Sequence, residues 1–109
     1  MANVYKNAKV DFTTTDNTTV YTSPSNSRAI IKSILVSDDS GSGDSINVTL
    51  TDASAAVFSL FKTKTIASNA TTELITQPIV LQESEILKAQ ATTAGRLHMI
   101  VSLLEINRD

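Results

Sequence analysis

His98 is the residue best suited to acid–base chemistry, because it is the only histidine in the chain. A serine hydrolase needs such a base beside a nucleophile and an orienting carboxylate. His98 instead lies between Leu97 and Met99 in a strongly apolar run, and no serine sits in a G-x-S-x-G motif. The pattern favours a packed or interface histidine. It predicts no catalytic residue and indicates that the protein is not an enzyme.

The acidic loop Asp38–Asp44 is the segment most similar to a calcium-binding loop. Alternate positions from Asp38 to Ser42 supply side-chain oxygens and Gly43 follows them, as in an EF-hand loop. The twelfth position, however, is Thr49 rather than a bidentate glutamate, and no helix is predicted on either side. A plain hairpin loop is the favoured interpretation, with no metal site and no cofactor expected, although cation binding by the loop stays open.

The remaining charged residues indicate neither sugar hydrolysis nor nucleic-acid binding. Glu83 and Glu85 share one side of a predicted turn, whereas a glycosidase needs carboxylates that face each other across a cleft. Nine Lys and Arg residues stand against eleven Asp and Glu residues, giving a net charge of −2, and the basic residues are scattered. A nucleic-acid partner is therefore not expected, since that surface needs a basic patch.

Length and composition predict one small domain covering residues 1–109. A chain of this size buries roughly 65% of its unfolded surface, which is enough for one modest core. The absence of cysteine excludes disulfides and thiolate metal sites. No apolar run approaches the ~18 residues of a membrane span, and residues 1–10 lack the apolar segment of a signal peptide. We therefore expect no membrane partner and synthesis in a cytoplasm.

Alternating apolar and polar residues predict an all-β fold. Ile46–Thr51 alternates strictly, and turn-forming residues in Ser23–Ser27 and Asp38–Asp44 bracket an apolar strand. Turn clusters recur at the spacing of an antiparallel β-sandwich, for which we expect jelly-roll-like character. About eight strands are expected from nine candidate segments, of which Thr71–Thr76 and Ile79–Leu81 are short. The segments are Val4–Phe12, Thr18–Thr22, Arg28–Ser37, Ser45–Thr51, Ala55–Lys62, Thr71–Thr76, Ile79–Leu81, Glu85–Thr92 and Arg96–Ile106.

Helix is the alternative for two windows. Leu81–Ala91 contains good helix formers, and Ala53–Phe61 follows Asp52, a plausible helix N-cap. We favour strands in both, because the sandwich spacing continues through them.

The motifs of this chain resemble those of small structural proteins of tailed bacteriophages, especially cyanophage-like viruses. Thr18–Pro24 matches their T-T-x-Y-T-x-P hairpin, and Ala29–Ser37 matches their apolar strand. Pro78–Ala89 is similar to their V-L-x-x-G-D-x-I-x-A hairpin, with Glu83-Ser84-Glu85 where Gly-Asp is common. The resemblance covers nearly the whole chain and implies a virion β-sandwich with the major capsid protein or other virion proteins as partners.

Strands that are apolar on both faces indicate either a subunit interface, which we favour, or a central strand beneath a covering loop. In Arg28–Ser37, strict alternation puts Ile31 with Leu35 on one face, and Arg96–Ile106 is likewise apolar on both faces. Residues 1–13 are expected to be an arm or an edge strand, because their apolar and charged residues share a face. The predicted interface residues are Val4, Tyr5, Val10, Phe12, Leu97, Met99, Ile100, Leu104 and Ile106.

The function that these observations favour is structural. We expect a homo-oligomer that acts in the virion as a capsid decoration or cement protein. The phage resemblance and the local symmetry axes of capsid lattices favour a trimer. A neck, collar or tail-fibre module is the first alternative. A carbohydrate-binding module for host adhesion is the second, and an aromatic content of 5% with no tryptophan argues against it.

Overall fold

Strand-forming sequence fills most of the chain, and residues 2–108, which the computed structural model describes, contain no helix. The all-β prediction is confirmed, and both windows with a helical alternative consist of strands and turns. No segment of residues 2–108 is a helix able to cross a bilayer. The nine strands are β1 Ala2–Asp11, β2 Thr18–Thr22, β3 Ser27–Asp38, β4 Asp44–Thr51, β5 Val57–Ile66, β6 Thr71–Glu73, β7 Ile79–Leu81, β8 Ile86–Ala91 and β9 Leu97–Asn107.

The strands form two antiparallel sheets that pack face to face. The first sheet has the order β1-β9-β3, with β6 and β7 both pairing with the far side of β3. The second has the order β2-β8-β4-β5. Because β6 and β7 share one position, nine strands occupy eight places. Apart from the pair β4 and β5 and the pair β6 and β7, consecutive strands lie in different sheets, as in a jelly roll. The predicted sandwich with jelly-roll character is therefore confirmed.

The inner faces of the two sheets supply the core. The first sheet contributes alternate residues of β9 and β3, the second contributes β4 and β8, and loop residues close the ends. Burying each large aliphatic side chain stabilises the fold by about 1.5–3 kcal/mol. The largest fully buried side chains are Phe12, Ile31, Ile34, Val36, Ile46, Val48, Ile66, Leu81, Leu87, Leu97, Met99 and Leu103.

A β-bulge explains why β3 is apolar on both faces. The pairing of β3 with β9 shifts between Ile31 and Ser33, so side chains change face at that point. Ile31 and Ile34 therefore both point into the core, whereas Leu35 is 38% exposed on the outside. The prediction that Ile31 and Leu35 share a face is wrong, because strict alternation does not allow for the extra residue.

The turn between β7 and β8 contains a residue in the left-handed region of backbone conformation. Ser84 has a φ of 67°, and its N–H donates to the Ser23 carbonyl at 3.0 Å. The phage hairpin that this segment resembles commonly has glycine in this turn, and glycine adopts positive φ without a steric cost. Ser84 therefore makes the turn with some backbone strain.

β1 is the edge strand of the first sheet and pairs with β9 alone. The register runs from Ala2 opposite Asn107 to Asp11 opposite His98 with no shift. Residues 2–7 are exposed, whereas Ala8 and Val10 pack against the core. Of the segment 1–13 that was expected to be an arm or an edge strand, Met1 lies outside the described residues.

Candidate assembly surface

One row of apolar side chains crosses the outer face of the first sheet. Tyr5 of β1 lies opposite Leu104 of β9, Leu104 lies opposite Ile30 of β3, and Ile30 lies opposite Val80 of β7. We call these four residues the outer apolar row. Tyr5 is 77% exposed and Val80 is 55% exposed, so both ends of the row are open to solvent. The row is thus an uncovered apolar strip four strands wide.

The rows on either side limit this strip. Towards one end of the sheet, Ile106 lies between Asn3 and Arg28. Towards the other end, Ser102 lies opposite Asn7 and Ser33. A second apolar pair, Ile100 opposite Leu35, comes after this polar row, and both of its residues are exposed by more than a third. The outer face therefore presents a main apolar row and a smaller apolar pair separated by hydroxyl and amide groups.

His98 stands on the same outer face, in a row with Asp11 and Ser37. These are the residue types of a hydrolase triad, but both imidazole nitrogens face carboxylates. Nε2 is 3.2 Å from an Asp11 oxygen and Nδ1 is 3.7 Å from an Asp39 oxygen. A general base must be within hydrogen-bond reach of the proton that it removes, and neither nitrogen is directed at Ser37. The cluster brings together β1, β9 and the loop after β3.

The loop that was compared with a calcium site is organised by Asp38. One carboxylate oxygen accepts hydrogen bonds from the backbone N–H and the hydroxyl of Ser40, and the other accepts from the N–H of Gly43 at 2.6 Å and of Asn69 at 3.3 Å. The Ser40 hydroxyl is the main cause that holds the pKa of Asp38 below its usual range. Both oxygens are therefore engaged by donors, and no cluster of metal-ligating residues occurs within the described chain.

A buried carboxylate joins the two sheets. Glu105 of β9 is 3% exposed. It accepts one hydrogen bond from the Tyr21 hydroxyl of the opposite sheet and one from Lys6 Nζ at 3.0 Å. Burial acts to raise the pKa of Glu105, but the hydrogen bonds from Tyr21 and Lys6 together hold it below the usual range. Burial and the neighbouring carboxylate raise the pKa of Tyr21 well above its ordinary value.

A groove of about 380 Å³ lies at the Glu105 end of the sandwich, between the turn before β3, the end of β9 and the β7–β8 turn. Two of the charged residues that line it form an ion pair: Arg108 donates to both oxygens of Glu83, at 2.7 and 3.0 Å. This bidentate contact is the main cause that lowers the pKa of Glu83. The Arg108 guanidinium is therefore already held by a carboxylate.

Three of the predicted interface residues lie in the core. Phe12 and Met99 are 1% exposed and Leu97 is 0% exposed, so they cannot contact another subunit. The prediction is wrong for these three, because β9 is apolar on both faces and its sequence does not reveal which face the second sheet covers. Val10 is half-buried and packs against the core as well.

The other predicted interface residues are accessible. Tyr5 and Leu104 belong to the outer apolar row, and Ile100 is 45% exposed on the same face. Val4 is 37% exposed, and Ile106 is half-buried beside the row. Their contact with another subunit stays a prediction.

Sequence reasoning missed two members of the outer apolar row, Ile30 and Val80. The bulge in β3 concealed the face of Ile30, and three-residue β7 is too short for a periodic pattern. It also missed the partners of Glu105. Glu105 continues the alternate, inward-facing positions of Val101 and Leu103. Because a buried carboxylate requires hydrogen-bond donors, this position in the series could have indicated that Glu105 has partners.

No protein-family model matches the chain, and no curated protein matches its sequence. Matches among solved structures include the following two. One is described as "Bacillus endospore appendages form a novel family of disulfide-linked pili", with a TM-score of 0.57 and 10% identity, covering 98% of this chain and 89% of that chain. The other is a structure of infectious bursal disease virus Gt strain, with a TM-score of 0.44 and 10% identity, covering 98% of this chain and 31% of that chain. At 10% identity, the similarity to the appendage structure shows a shared β-sandwich fold.

Proposed function

We propose that the protein is a non-enzymatic structural subunit of a virus particle, and most specifically a decoration or cement protein on the capsid of a tailed bacteriophage. The observation that carries the proposal is the outer apolar row. An antiparallel sandwich normally keeps its outer faces polar, whereas here Tyr5, Leu104, Ile30 and Val80 form an uncovered strip. An exposed apolar strip of this kind is typical of a protein–protein contact.

The mechanism is association by burial. A neighbouring surface that covers the row removes apolar area from water, and each square ångström of that area contributes roughly 25 cal/mol. The flanking residues Asn3, Arg28 and Ser102 supply hydrogen bonds at the rim, as in other protein interfaces. The partners are the major capsid protein or other virion proteins, and further copies of the chain. A trimer fits the local threefold axes of capsid lattices.

Assembly of this chain uses non-covalent contacts. The pili in the structure of similar fold are described as disulfide-linked, and this chain has no cysteine. The jelly-roll fold recurs in viral capsid domains, which is compatible with the proposal, but a fold alone does not fix a function. The phage resemblance of Thr18–Pro24 and Ala29–Ser37 supports the more specific proposal.

The side chains with catalytic potential also support a structural function. Each nitrogen of His98 faces an aspartate, the Asp38 oxygens accept loop donors, and Lys6 pairs with Glu105. These groups hold strands and loops together. Their arrangement supports contact between proteins rather than chemistry on a small molecule.

Copy number in purified virions tests the proposal. Densitometry of virion proteins on a gel, calibrated against the purified chain, is expected to give on the order of hundreds of copies per particle, since a decoration protein follows the capsid lattice. A count of roughly six to a few dozen would replace the capsid site with a neck, collar or tail-fibre site of lower symmetry. Absence from the virion would overturn the structural function altogether.

A further inference from the structure

The free edge of β1 differs from the other sheet edges in residues 2–108. β1 pairs with β9 over ten residues with no register shift. The opposite edge of that sheet consists of β6 and β7, each three residues long. In the second sheet, the pairing of β2 with β8 shifts once and that of β5 with β4 shifts twice. Short or bulged edges resist pairing with another strand, whereas a long regular edge is a template for it.

The backbone groups on this edge can be identified from one hydrogen bond. The Phe12 N–H donates to the Leu97 carbonyl of β9 at 3.1 Å. Because hydrogen-bonding direction alternates along an antiparallel strand, even-numbered residues of β1 bond to β9 and odd-numbered residues point away from it. The N–H and C=O groups of Asn3, Tyr5, Asn7 and Lys9 therefore face outwards from the sheet edge.

We propose that β1 pairs with β1 of a second copy, antiparallel, about a twofold axis at Asn7. Residues whose backbone groups point away from β9 must lie opposite one another in the two copies. This condition allows a twofold axis at Tyr5, Lys6, Asn7 or Ala8. Centring on Lys6 places two ammonium groups directly opposite each other, which is unfavourable. Centring on Tyr5 or Ala8 pairs fewer residues. The Asn7 register pairs residues 3–11 of both copies.

The side chains in the Asn7 register are complementary. On the inner face, Val4 lies opposite Val10 of the second copy, so the 37% exposed Val4 side chain gains an apolar neighbour. On the outer face, Tyr5 lies opposite Lys9 of the second copy, where its ring can accept a cation–π contact. Each of these pairs occurs twice because of the twofold axis. At the ends, Asn3 lies opposite Asp11, and no like charges are opposed.

A second copy is the occupant that this edge fits, because it supplies an extended strand of matching length, polarity and register. The pairing joins the first sheets of two protomers into one continuous sheet and leaves Leu104, Ile30 and Val80 of the outer apolar row uncovered. It therefore does not rest on the proposed function, and it is tested with purified protein in the absence of any virion.

Single-cysteine variants test the register. The chain contains no cysteine, so Asn7→Cys introduces one thiol. Cα atoms of a hydrogen-bonded antiparallel pair are about 5.5 Å apart, within the range of a disulfide. Asn7→Cys is expected to form a covalent dimer under mild oxidation. Asn3→Cys is the matched control, because the two Asn3 residues lie about 26 Å apart at about 3.3 Å per residue, and it is expected to stay uncrosslinked.

The outcomes separate clearly. A monomeric Asn7→Cys under the same oxidation would overturn the pairing, and equal crosslinking of both variants would show random collision instead. Self-crosslinking of Tyr5→Cys in place of Asn7→Cys would overturn the register. Each chain carries one thiol, which lies in β1. Trimer formation through another part of the surface therefore does not produce the disulfide.

A proline variant gives an independent test. The Asn7 N–H points away from β9, so Asn7→Pro removes a donor to the second copy and no hydrogen bond within the protomer. Asn7→Ala keeps that donor and is the matched control. Sedimentation equilibrium is expected to give a lower mass for Asn7→Pro than for Asn7→Ala, with equal β-sheet circular dichroism. Equal masses would overturn the proposal, and a misfolded proline variant leaves the crosslinking result to decide.

Discussion

The Tyr21 hydroxyl of β2 donates a hydrogen bond to the buried carboxylate of Glu105 in β9, so one polar contact connects the two sheets of the sandwich. The residues are 84 positions apart in the chain. Lys6 of β1 binds the other carboxylate oxygen. Glu105 therefore connects strands of both sheets.

We predict that Tyr21→Phe destabilises the protein by about 1.5–3 kcal/mol, the usual cost of losing a hydrogen bond to a charged group. The phenylalanine ring keeps the packing, whereas Glu105 loses a donor while it stays buried. Urea unfolding measures the difference. Tyr5→Phe is the control, because Tyr5 is 77% exposed, and its effect is expected to stay within about 0.5 kcal/mol. Equal effects of the two substitutions would show that the interaction with Glu105 contributes nothing.

We predict that stability falls in acid partly because of Glu105. Its pKa in the folded protein is lowered, so the contribution is complete above the unfolded value of about 4.3. It is lost as the pH falls through the lower folded pKa, since the unfolded chain then binds the proton more readily. Urea unfolding from pH 6 down to about pH 3 is expected to show a shallower loss in Glu105→Gln than in the original chain. Parallel curves would contradict this.

We predict that Asp38→Ala lowers the melting temperature more than Asp52→Ala does. Both aspartates accept backbone N–H groups of their own turn, but Asp38 also binds Asn69 across the sandwich end and is 3% exposed. Thermal melts followed by circular dichroism make the comparison. Because the Asp38 oxygens are already engaged, millimolar calcium is expected to leave the melt of the original chain unchanged. A clear rise would reassign the loop as a cation site.

We predict opposite outcomes for two adjacent residues of β9. Leu103 is 1% exposed and points inwards, so Leu103→Asp buries an unpaired charge and prevents folding. Leu104 belongs to the outer apolar row, so Leu104→Asp leaves the sandwich folded and weakens binding to virion partners. Circular dichroism and cosedimentation with capsids separate the two effects. Ser102→Asp, on the same outer face but outside the row, is the control that is expected to bind more strongly than Leu104→Asp.

We predict that Ser84→Gly stabilises the protein by about 0.5–1 kcal/mol. Glycine relieves the positive φ of 67° at this turn, a strain of order 1–3 kcal/mol, and the greater freedom of the unfolded chain offsets part of the gain. Thermal unfolding is the measurement. Ser25→Gly, at an exposed position without positive φ, is expected to be neutral or slightly destabilising. A melting temperature of Ser84→Gly below that of the original chain would count against strain in the turn.

The sequence predicts most strands to within two residues, because alternation and turn residues are local signals. Its largest error in a strand is at β5, which continues to Ile66 rather than ending at Lys62. Thr63 takes a φ of 55° there and its N–H donates to Asn47, which lets the strand continue after a break in its pattern.

The local sequence does not determine which face of a central strand is buried. β9 has apolar residues on both faces, and only the second sheet decides that Met99 is covered and Ile100 is not. The bulge in β3 is also invisible to a local pattern. It reverses the faces of the residues after Ile31, so Ile34 points inwards although Ile30 points outwards. The outer apolar row depends on the register of four strands that are distant in the chain, which composition and periodicity do not determine.

The position of β9 between β1 and β3 also constrains how the protein is made. The ribosome synthesises β9 after the other eight strands, yet β9 is the strand that connects the first sheet. Until it emerges, β1 has no neighbour in its own sheet and the inner face of β3 is incompletely covered. The sandwich is therefore expected to complete its folding only once β9 has left the ribosome, and slowly, as is usual when distant strands must pair.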